Sequence, residues 1–321
     1  MNERIIRFFL DHPGEYISGE ELSEHLKCSR TAVWKHIQQL RRRGYRFESA
    51  PRKGYRLIGR QDAFGRDEIA AALAGCKLIR SIHFHETVDS TQAEAQRLVA
   101  AGAGEGTLVV AERQTAGRGR AGRFWHSPAG KGVWLSLVLK PPIALQFAPQ
   151  MTLLTAAALC RAIRRECGID AAIKWPNDLL WNGRKISGIL AEASGENELV
   201  RHVIIGVGID CNLEEHDFPE ELRGRAASLK IASGRSVDRA ALTGAFLREF
   251  EALYAAYLER GFEPIRALWE TFAETLGKAV RIRSGGAVVE GTAEAVDERG
   301  ALIVRRPDGS RVTVYSGETE G

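Results

Sequence analysis

Apolar residues in the first 60 positions recur at helical spacing and then alternate in two short runs. Residues 3–10 place their apolar side chains on one face, which is typical of an amphipathic helix. The Ser18–Glu21 segment has a capping-box pattern that opens a second helix, and Ser29 is placed to cap a third. Strand-like runs on either side of Pro51–Gly54 predict a basic hairpin. Two short helices joined by a tight turn and followed by a hairpin predict a winged helix-turn-helix.

From residue 78 onwards the hydrophobic pattern alternates between that of strands and that of helices. Strands are predicted at 78–85, 107–112 and 133–140, and helices at 91–101 and 149–167. Asn182-Gly183 is a strong signal for a tight hairpin turn, and a second hairpin is expected to turn at 195–197. The alternation predicts a mixed α/β sheet.

The last part of the chain changes from long helical patterns to short strands. Amphipathic helices are predicted at 238–259 and 262–276, and four short strands separated by turn signals follow Gly277. These strands predict a small SH3-like β-barrel. We therefore expect a multidomain α+β protein with a winged helix-turn-helix domain at 1–60, a mixed α/β domain at 78–272 and an SH3-like domain at 277–321.

Composition excludes several classes of protein. The 321 residues are 44% hydrophobic and 27% charged, which is a globular balance. The apolar stretches fall short of the ~20 residues that a membrane span needs, and the N-terminus lacks a secretory cleavage pattern. The five cysteines are odd in number and form no C-x-x-C, so neither a disulfide framework nor a zinc site is predicted. We expect a cytoplasmic protein with no membrane partner and no metal held by protein ligands alone.

Charge is concentrated at the N-terminal end. Residues 27–60 carry eleven Lys/Arg and one acid, whereas residues 1–26 carry two Arg and six acids. A helix-turn-helix inserts the start of its second helix into the major groove, so operator DNA is the expected partner. The expected DNA-binding residues are Ser29, Arg30, Thr31, Trp34, Lys35, Arg52 and Lys53. Two alternatives stay open, because winged helices also bind proteins and Trp34 could be a core residue.

A glycine-rich segment, Gly117–Gly122, matches the G-x-G-x-x-G pattern of dinucleotide-binding folds. That interpretation needs a helix directly after the glycines and an acid about 20 residues further on. The next segment predicts more loop and then a strand, and no acid occurs before Glu166. A loop that closes over an anion with its backbone N–H groups and arginines fits better than an RGG-like RNA segment. The nine Lys/Arg and absence of acids in 113–165 suit a polyphosphate.

Four motifs together resemble the motif series of biotin protein ligases. They are ETVDSTQ (86–92), AERQTAGRGRAGRFWHSP (111–128), KWPNDLLWNGRKISGIL (174–190) and GVGIDCN (206–212). The winged helix makes the chain similar to the bifunctional subgroup, which also represses biotin operons. The resemblance implies adenylation of biotin with ATP and Mg²⁺, then transfer to a lysine of a biotin carboxyl carrier protein. It also implies a homodimer that forms when ligand binds.

The resemblance assigns the site residues. Hydroxyl and amide groups suit the ureido ring of biotin, and a cation between carboxylate and α-phosphate offsets their repulsion. Lys185, which matches the family's adenylate-contacting lysine, and Arg120 are the expected catalytic residues. The expected biotin-binding residues are Ser90, Thr91, Gln92, Gln114, Arg118, Gly119, Arg120 and Lys185. The expected nucleotide-binding residues are Arg118, Arg120, Arg123, Trp125, Asn177, Lys185, Gly206 and Gly208.

Several points stay open. Asp210 stands where the family commonly has Asn, and a carboxylate there would repel phosphate unless it points away or takes up a proton. Gly206 and Gly208 fit either close strand packing or close approach of a ligand. A lipoate-type ligase shares the activation chemistry but has less need of Ser90, Thr91 and Gln114. A transcription factor that only senses biotin is a further alternative, which pyrophosphate release would distinguish from an enzyme.

Overall fold

The computed structural model describes residues 2–42, 45–51, 53–60, 64–284 and 286–320. The chain divides into two compact units, Met1–Ala63 and Phe64–Gly321, which are described separately. Arg52, one of the predicted DNA-binding residues, lies outside the described residues. Among the residues that are described, no helix combines the length and apolar character needed to cross a membrane.

The N-terminal unit contains three helices followed by a two-stranded antiparallel sheet. Its elements are α1 (Asn2–Asp11), α2 (Gly19–Leu26), α3 (Arg30–Arg42), β1 (Tyr45–Ala50) and β2 (Gly54–Arg60). Isolated helices this short are marginal in water, so their stability comes from burying their apolar stripes. The stripes meet in one core of Ile5, Phe9, Ile17, Leu22, Leu26, Val33, Ile37, Leu40 and Phe47. The predicted helix-turn-helix is confirmed, and the predicted hairpin follows it.

Local contacts set the geometry of this unit. Ser18 Oγ accepts a hydrogen bond from Glu21 N at 3.1 Å, which satisfies a donor that the first turn of α2 leaves open. Lys27 adopts the left-handed conformation (φ 53°) and makes the sharp turn towards α3. At the hairpin, Gly54 has φ 100°, and a Cβ there would lie 2.1 Å from Ile17 O. Glycine is therefore required at this close approach.

A seven-stranded mixed sheet forms the centre of the second unit. Its helices are α4 (Arg66–Ala72), α5 (Thr91–Ala100), α6 (Gln150–Cys167), α7 (Leu229–Ser233), α8 (Arg239–Arg260) and α9 (Glu263–Phe272). Its strands are β3 (Ser81–His85), β4 (Thr107–Ala111), β5 (Gly132–Leu139), β6 (Ala172–Lys174), β7 (Asp178–Trp181), β8 (Arg184–Glu196) and β9 (Leu199–Asp210). They lie in the order β3-β4-β5-β9-β8-β7-β6, and β3 pairs with β4 in parallel while the other pairs are antiparallel. The predicted mixed α/β domain is confirmed.

Helices cover both faces of this sheet. Successive strand residues point to opposite faces, so Leu108 and Val110 of β4 join the large core that includes α6 and α8. Val109 packs on the other side with Ala95 of α5 and with Ile204. All five residues of β4 are consequently buried, which explains its continuous apolar run in the sequence.

The C-terminal strands form a five-stranded antiparallel sheet. They are β10 (Ala279–Ser284), β11 (Ala287–Val296), β12 (Leu302–Arg305), β13 (Arg311–Val314) and β14 (Glu318–Glu320). Four were predicted, and the fifth, β14, is a short strand that pairs with β10. Trp175 Nε1 donates to Gly300 O at 3.2 Å, and Gln150 Nε2 donates to Glu298 O at 2.5 Å. These bonds tie the small sheet to the large domain.

Candidate active site

A cavity of about 560 Å³ lies between the large sheet, loop 113–131 and the C-terminal sheet. Its volume is in the range of small-molecule sites. The residues predicted to bind biotin or nucleotide all line it: Ser90, Thr91, Gln92, Gln114, Arg118, Gly119, Arg120, Arg123, Trp125, Asn177, Lys185, Gly206 and Gly208. The fold therefore brings four distant sequence motifs to one place.

Part of the cavity wall is a network of buried hydroxyl and amide groups. Gln114 Oε1 accepts from Thr91 N at 2.8 Å and from Thr91 Oγ1 at 3.1 Å. Ser136 Oγ lies 3.0 Å from both Thr91 Oγ1 and Gln92 Oε1. Ser90 Oγ caps the start of α5. Because these side chains hold one another, the polar groups are fixed before a ligand arrives.

Ser136 was not predicted as a site residue. It is fully buried in β5, within the apolar run GVWLSLVL, where a single serine gives no sequence signal of its role. Gln92 is held on its other side, because its Nε2 donates to Glu192 Oε2 at 2.9 Å and to Ile204 O at 3.1 Å. Its amide group therefore orients Ser136 relative to the cavity.

Lys185 contributes a positive charge to the cavity wall. The antiparallel pairing of β7 and β8 brings its Nζ to 2.7 Å from Asp178 Oδ1. The same ammonium lies 5.1 Å from the ring centroid of Trp125, within the range of a cation–π contact. The ion pair and the ring together fix the position of a positive charge that a ligand can reach.

Arg120 joins the glycine-rich loop to the sheet. Its Nη1 donates to Asn177 Oδ1 at 2.9 Å, and Asn177 Nδ2 donates to Ile189 O at 2.9 Å. Burial lowers the pKa of the Arg120 guanidinium, and the nearby charge of Asp178 acts in the opposite direction. Arginine nonetheless stays protonated at neutral pH, so a desolvated positive charge faces the cavity. No helix follows Gly117–Gly122 beyond the short turn Arg120–Gly122, as the sequence predicted.

The glycines of β8 and β9 allow side chains to lie flat against the strands. A Cβ on Gly208 would lie 2.4 Å from Trp125 Nε1, and a Cβ on Gly188 would lie 2.8 Å from the same ring. A Cβ on Gly206 would lie 2.7 Å from Gln92 Oε1. Both glycines that the sequence singled out thus line the cavity and also permit close packing of a neighbouring side chain.

Further residues line the cavity that were not predicted as site residues. Arg225 follows the short turns after β9, and Arg283 lies near the end of β10 in the C-terminal sheet. Lys174, Ser316 and Gly317 also line the cavity. The additional cations extend the positive wall that Arg118, Arg120 and Arg123 begin, which suits a polyphosphate.

Asp210 lines a neighbouring cavity of about 830 Å³ that shares Trp125 and Lys185 with the first. Its side chain is buried at the end of β9. Burial raises the pKa of the Asp210 carboxyl well above its usual range, while the charge of Lys185 acts in the opposite direction. The neutral form is favoured, which reduces the repulsion of phosphate that the sequence suggested.

The face predicted to meet DNA is exposed on α3 and the hairpin. Ser29, Arg30, Thr31, Trp34, Lys35 and Lys53 are all exposed. Trp34 is 51% exposed, so its alternative interpretation as a core residue is wrong. Arg30 pairs at the surface with Glu20 at 3.1 Å. Lys53 Nζ lies 5.8 Å from the ring centroid of Tyr16.

Comparisons with known proteins agree with this fold and its domains. Residues 84–210 match the biotin/lipoate A/B protein ligase family, residues 2–56 an HTH domain and residues 275–319 the biotin protein ligase C-terminal domain. The bifunctional ligase/repressor BirA of Bacillus subtilis (strain 168) is 44% identical over 320 residues, covering 100% of this chain and 98% of that protein.

More distant relatives agree as well. The bifunctional ligase/repressor BirA of Escherichia coli (strain K12) is 30% identical over 294 residues, covering 91% of this chain and 89% of that protein. Among solved structures, the biotin protein ligase from Aquifex aeolicus in complex with biotin and ATP has a TM-score of 0.65 at 30% identity. The match covers 75% of this chain and 98% of that one. The chain therefore belongs to the biotin protein ligase family and, with its N-terminal helix-turn-helix domain, to the bifunctional ligase/repressor group.

Proposed function

We propose that this protein activates biotin as biotinyl-5′-adenylate, transfers the biotinyl group to a lysine of a biotin carboxyl carrier protein and represses biotin genes when the adenylate is bound. The observation that carries the proposal is the cavity, whose wall combines a fixed network of hydroxyl and amide groups with a cluster of cations. A neutral ring needs the first, and a carboxylate meeting a triphosphate needs the second.

The first reaction joins two anions. A carboxylate oxygen of biotin attacks the α-phosphorus of ATP, and the bond to the bridging oxygen breaks as pyrophosphate leaves. Lys185, held by Asp178 at 2.7 Å, stabilises the negative charge that develops on the α-phosphate oxygens. Arg118, Arg120 and Arg123 contact the nucleotide phosphates from the loop.

The second reaction transfers the acyl group. The neutral amine of the carrier lysine attacks the acyl carbon, AMP leaves with the bonding electrons, and an amide forms after the amine loses its proton. Trp125 covers the strands beside Gly208 and excludes water from the reacting carbon. Exclusion of water matters because hydrolysis of the mixed anhydride would waste the ATP.

Mg²⁺ is part of the proposal as a partner of the ATP phosphates. The described residues contain no group of three His, Cys, Asp or Glu side chains that could hold a metal ion by themselves. Mg²⁺ usually binds through one or two carboxylates together with substrate phosphates and water. Asp178 at the cavity wall fits one such carboxylate, and the ion supplies charge neutralisation of the triphosphate.

The proposal extends to organisation and location. We assign the winged helix to 1–60, the ligase domain to 78–272 and the SH3-like domain to 277–321. A ligand-induced homodimer would present two winged helices to a two-fold operator. A cytoplasmic location agrees with the five free cysteines among the described residues.

Release of pyrophosphate is the direct test of the ligase. The purified protein should release pyrophosphate only when biotin and ATP are both present, and lipoate should not replace biotin. Release with lipoate but not with biotin would favour the lipoate-type alternative. Tight binding of biotin without any pyrophosphate release would mean that the protein senses biotin and does not activate it.

Operator binding tests the repressor. One helix-turn-helix contacts a short half-site, so tight binding is expected to need a dimer. Biotin with ATP should increase both operator affinity and sedimenting mass, because the adenylate orders a loop whose surface then favours association. Equal affinity and equal mass with and without the two substrates would contradict the coupled repressor and leave the ligase intact.

The salt dependence of DNA binding should identify the cations that neutralise DNA phosphates. Each phosphate that a cation neutralises contributes about −0.9 to the slope of log affinity against log salt. Lys35→Ala with Lys53→Ala should make that slope shallower by about 0.9 for each phosphate that is no longer neutralised. Lys140→Ala, which removes a charge at an exposed position of the other unit, is the matched control and should leave the slope unchanged. A slope that is the same in all three proteins would mean that neither Lys35 nor Lys53 neutralises a DNA phosphate.

A further inference from the structure

A partly buried ion pair lies at the two ends of the glycine-rich loop. Arg239, the first residue of α8, is 2% exposed. Its Nη1 donates to Glu112 Oε2 at 3.0 Å and its Nη2 donates to Glu112 Oε1 at 3.1 Å. Nη1 also donates to Gly132 O at 3.1 Å. One guanidinium group therefore forms a bidentate ion pair with a carboxylate and also donates a hydrogen bond to a backbone carbonyl.

The two partners of Arg239 mark the two ends of loop 113–131. Glu112 directly precedes the loop, and Gly132 directly follows it as the first residue of β5. The ring of Phe64 lies 4.4 Å from Arg239 Cζ, which restrains the plane of the guanidinium. The main-chain pairing of β4 with β5 sets the spacing of the loop ends. Arg239 adds a side-chain restraint on the Glu112 carboxylate and the Gly132 carbonyl.

We propose that Arg239 is a positioning residue that keeps loop 113–131 closed over the acyl-adenylate. The proposal rests on the proposed function for the identity of the ligand. The contacts of Arg239 with Glu112 and Gly132, called the clamp below, belong to the chain itself. Arg239 is not among the described residues that line the cavity, so it acts through Glu112 and Gly132.

The ion pair restrains the orientation of the loop ends and lowers the conformational entropy of the loop. A planar bidentate pair fixes orientation as well as distance, which an apolar contact of similar size does not. Fixing the two ends of a loop reduces the number of conformations open to it. Fewer open conformations favour the arrangement in which Arg120 reaches Asn177 at 2.9 Å.

Loss of the Arg239–Glu112 pair is expected to affect how long the intermediate is retained more than how fast it forms. Lys185 lies on the sheet and keeps its position when the loop ends loosen, whereas Arg118, Arg120 and Arg123 lie on the loop itself. An intermediate that depends on the loop for its enclosure would escape faster. Loss of the clamp is therefore expected to raise the release rate of the adenylate by a larger factor than it lowers single-turnover adenylation at saturating substrates.

The first test needs no ligand. Trypsin cleaves after the loop residues Arg118, Arg120 and Arg123, so cleavage reports how often the loop opens. Glu112→Gln should be cleaved there at least about tenfold faster, the factor that accompanies loss of one charge-assisted hydrogen bond. Glu249→Gln is the matched control, because Glu249 also pairs with an arginine, Arg161, at 3.1 Å and is 16% exposed compared with 18% for Glu112.

The second test uses the ligand. Biotinyl-adenylate formed on the enzyme should be released about tenfold faster from Glu112→Gln in a chase with unlabelled biotin, by the same argument. Arg239→Lys, which keeps the charge but cannot grip the carboxylate with two prongs, should fall between wild type and Glu112→Gln, and it serves if Glu112→Gln does not fold.

The outcomes separate the two proposals. Loop cleavage and adenylate release that match Glu249→Gln, with an equal fall in melting temperature, would reduce Arg239 to a purely structural role and overturn the inference. Failure of the wild type to form any adenylate would overturn the proposed function, and the trypsin comparison would still decide whether the clamp exists.

Discussion

Lys185→Ala is expected to slow adenylation by about 10²–10³-fold, which corresponds to roughly 3–4 kcal/mol of lost transition-state stabilisation. The reason is the position of its ammonium at the cavity wall, 2.7 Å from Asp178 Oδ1 and 5.1 Å from the centroid of Trp125. Charge builds up on phosphorus only as the bond to biotin forms. An interaction made mainly at that stage raises the rate and leaves ground-state binding nearly unchanged.

The measurement is single-turnover pyrophosphate release with biotin and ATP at saturation. Removing Lys185 also leaves Asp178 without its partner, which could disturb the site by itself. Lys185→Gln controls for that effect, because its amide group can still donate a hydrogen bond to Asp178 but carries no charge. This variant should be as slow as Lys185→Ala. A rate that falls less than a few-fold in Lys185→Ala would show that the charge lies elsewhere in the transition state.

Local signals in the sequence were enough to predict most of the fold. The turn at Asn182-Gly183 has φ of 48° and 76°, as the predicted hairpin requires. Ser29 Oγ accepts a hydrogen bond from Ala32 N at 3.2 Å, as its predicted capping role requires. In each case a few neighbouring residues decide the backbone conformation, so the sequence carries the information locally.

The predictions were incomplete or inexact where pairing with a neighbouring strand decides the structure. Strands β6 and β14 have three residues each and exist because β7 and β10 lie beside them. The second hairpin turns at Asn197 and Glu198, slightly later than predicted, because the pairing of β8 with β9 continues to Glu196. Strands of three residues, such as β6 and β14, contain too few residues to display a period of two.

The candidate site divides in the same way. The predicted site residues were chosen because the four motifs are distinctive, and those residues all line one cavity. Ser136, Arg225 and Arg283 carry no local signal, since a lone serine in a strand or a lone surface arginine is ordinary. The pair of Glu112 and Arg239 joins positions far apart in the chain, so only the packing of α8 against β5 reveals it.

Gly208→Ala is expected to slow adenylation on the order of 10²-fold, the cost that a misplacement of about 1 Å can have in an active site. The added Cβ would lie 2.4 Å from Trp125 Nε1 and 2.5 Å from Trp125 Cε2. The indole must therefore move away from β9, and it takes with it the aromatic face that lies beside the Lys185 ammonium. Single-turnover pyrophosphate release and tryptophan fluorescence would both report the displacement.

Gly195→Ala and a double-mutant cycle make this prediction specific. Gly195 lies on the same strand pair and is not among the residues that line the cavity. Its added Cβ would meet Leu145 Cδ2, a flexible side-chain end, at 2.8 Å and the Leu199 carbonyl oxygen at 3.0 Å, so any local shift stays at the far end of the β8–β9 hairpin. Its adenylation rate should stay close to that of the wild type. In a Trp125→Ala background, Gly208→Ala should cost almost nothing further, because the atoms with which the methyl group collides are gone. Costs that simply add would mean that the methyl group acts on the nucleotide itself, and that Gly208 is needed for approach of the ligand rather than for the position of Trp125.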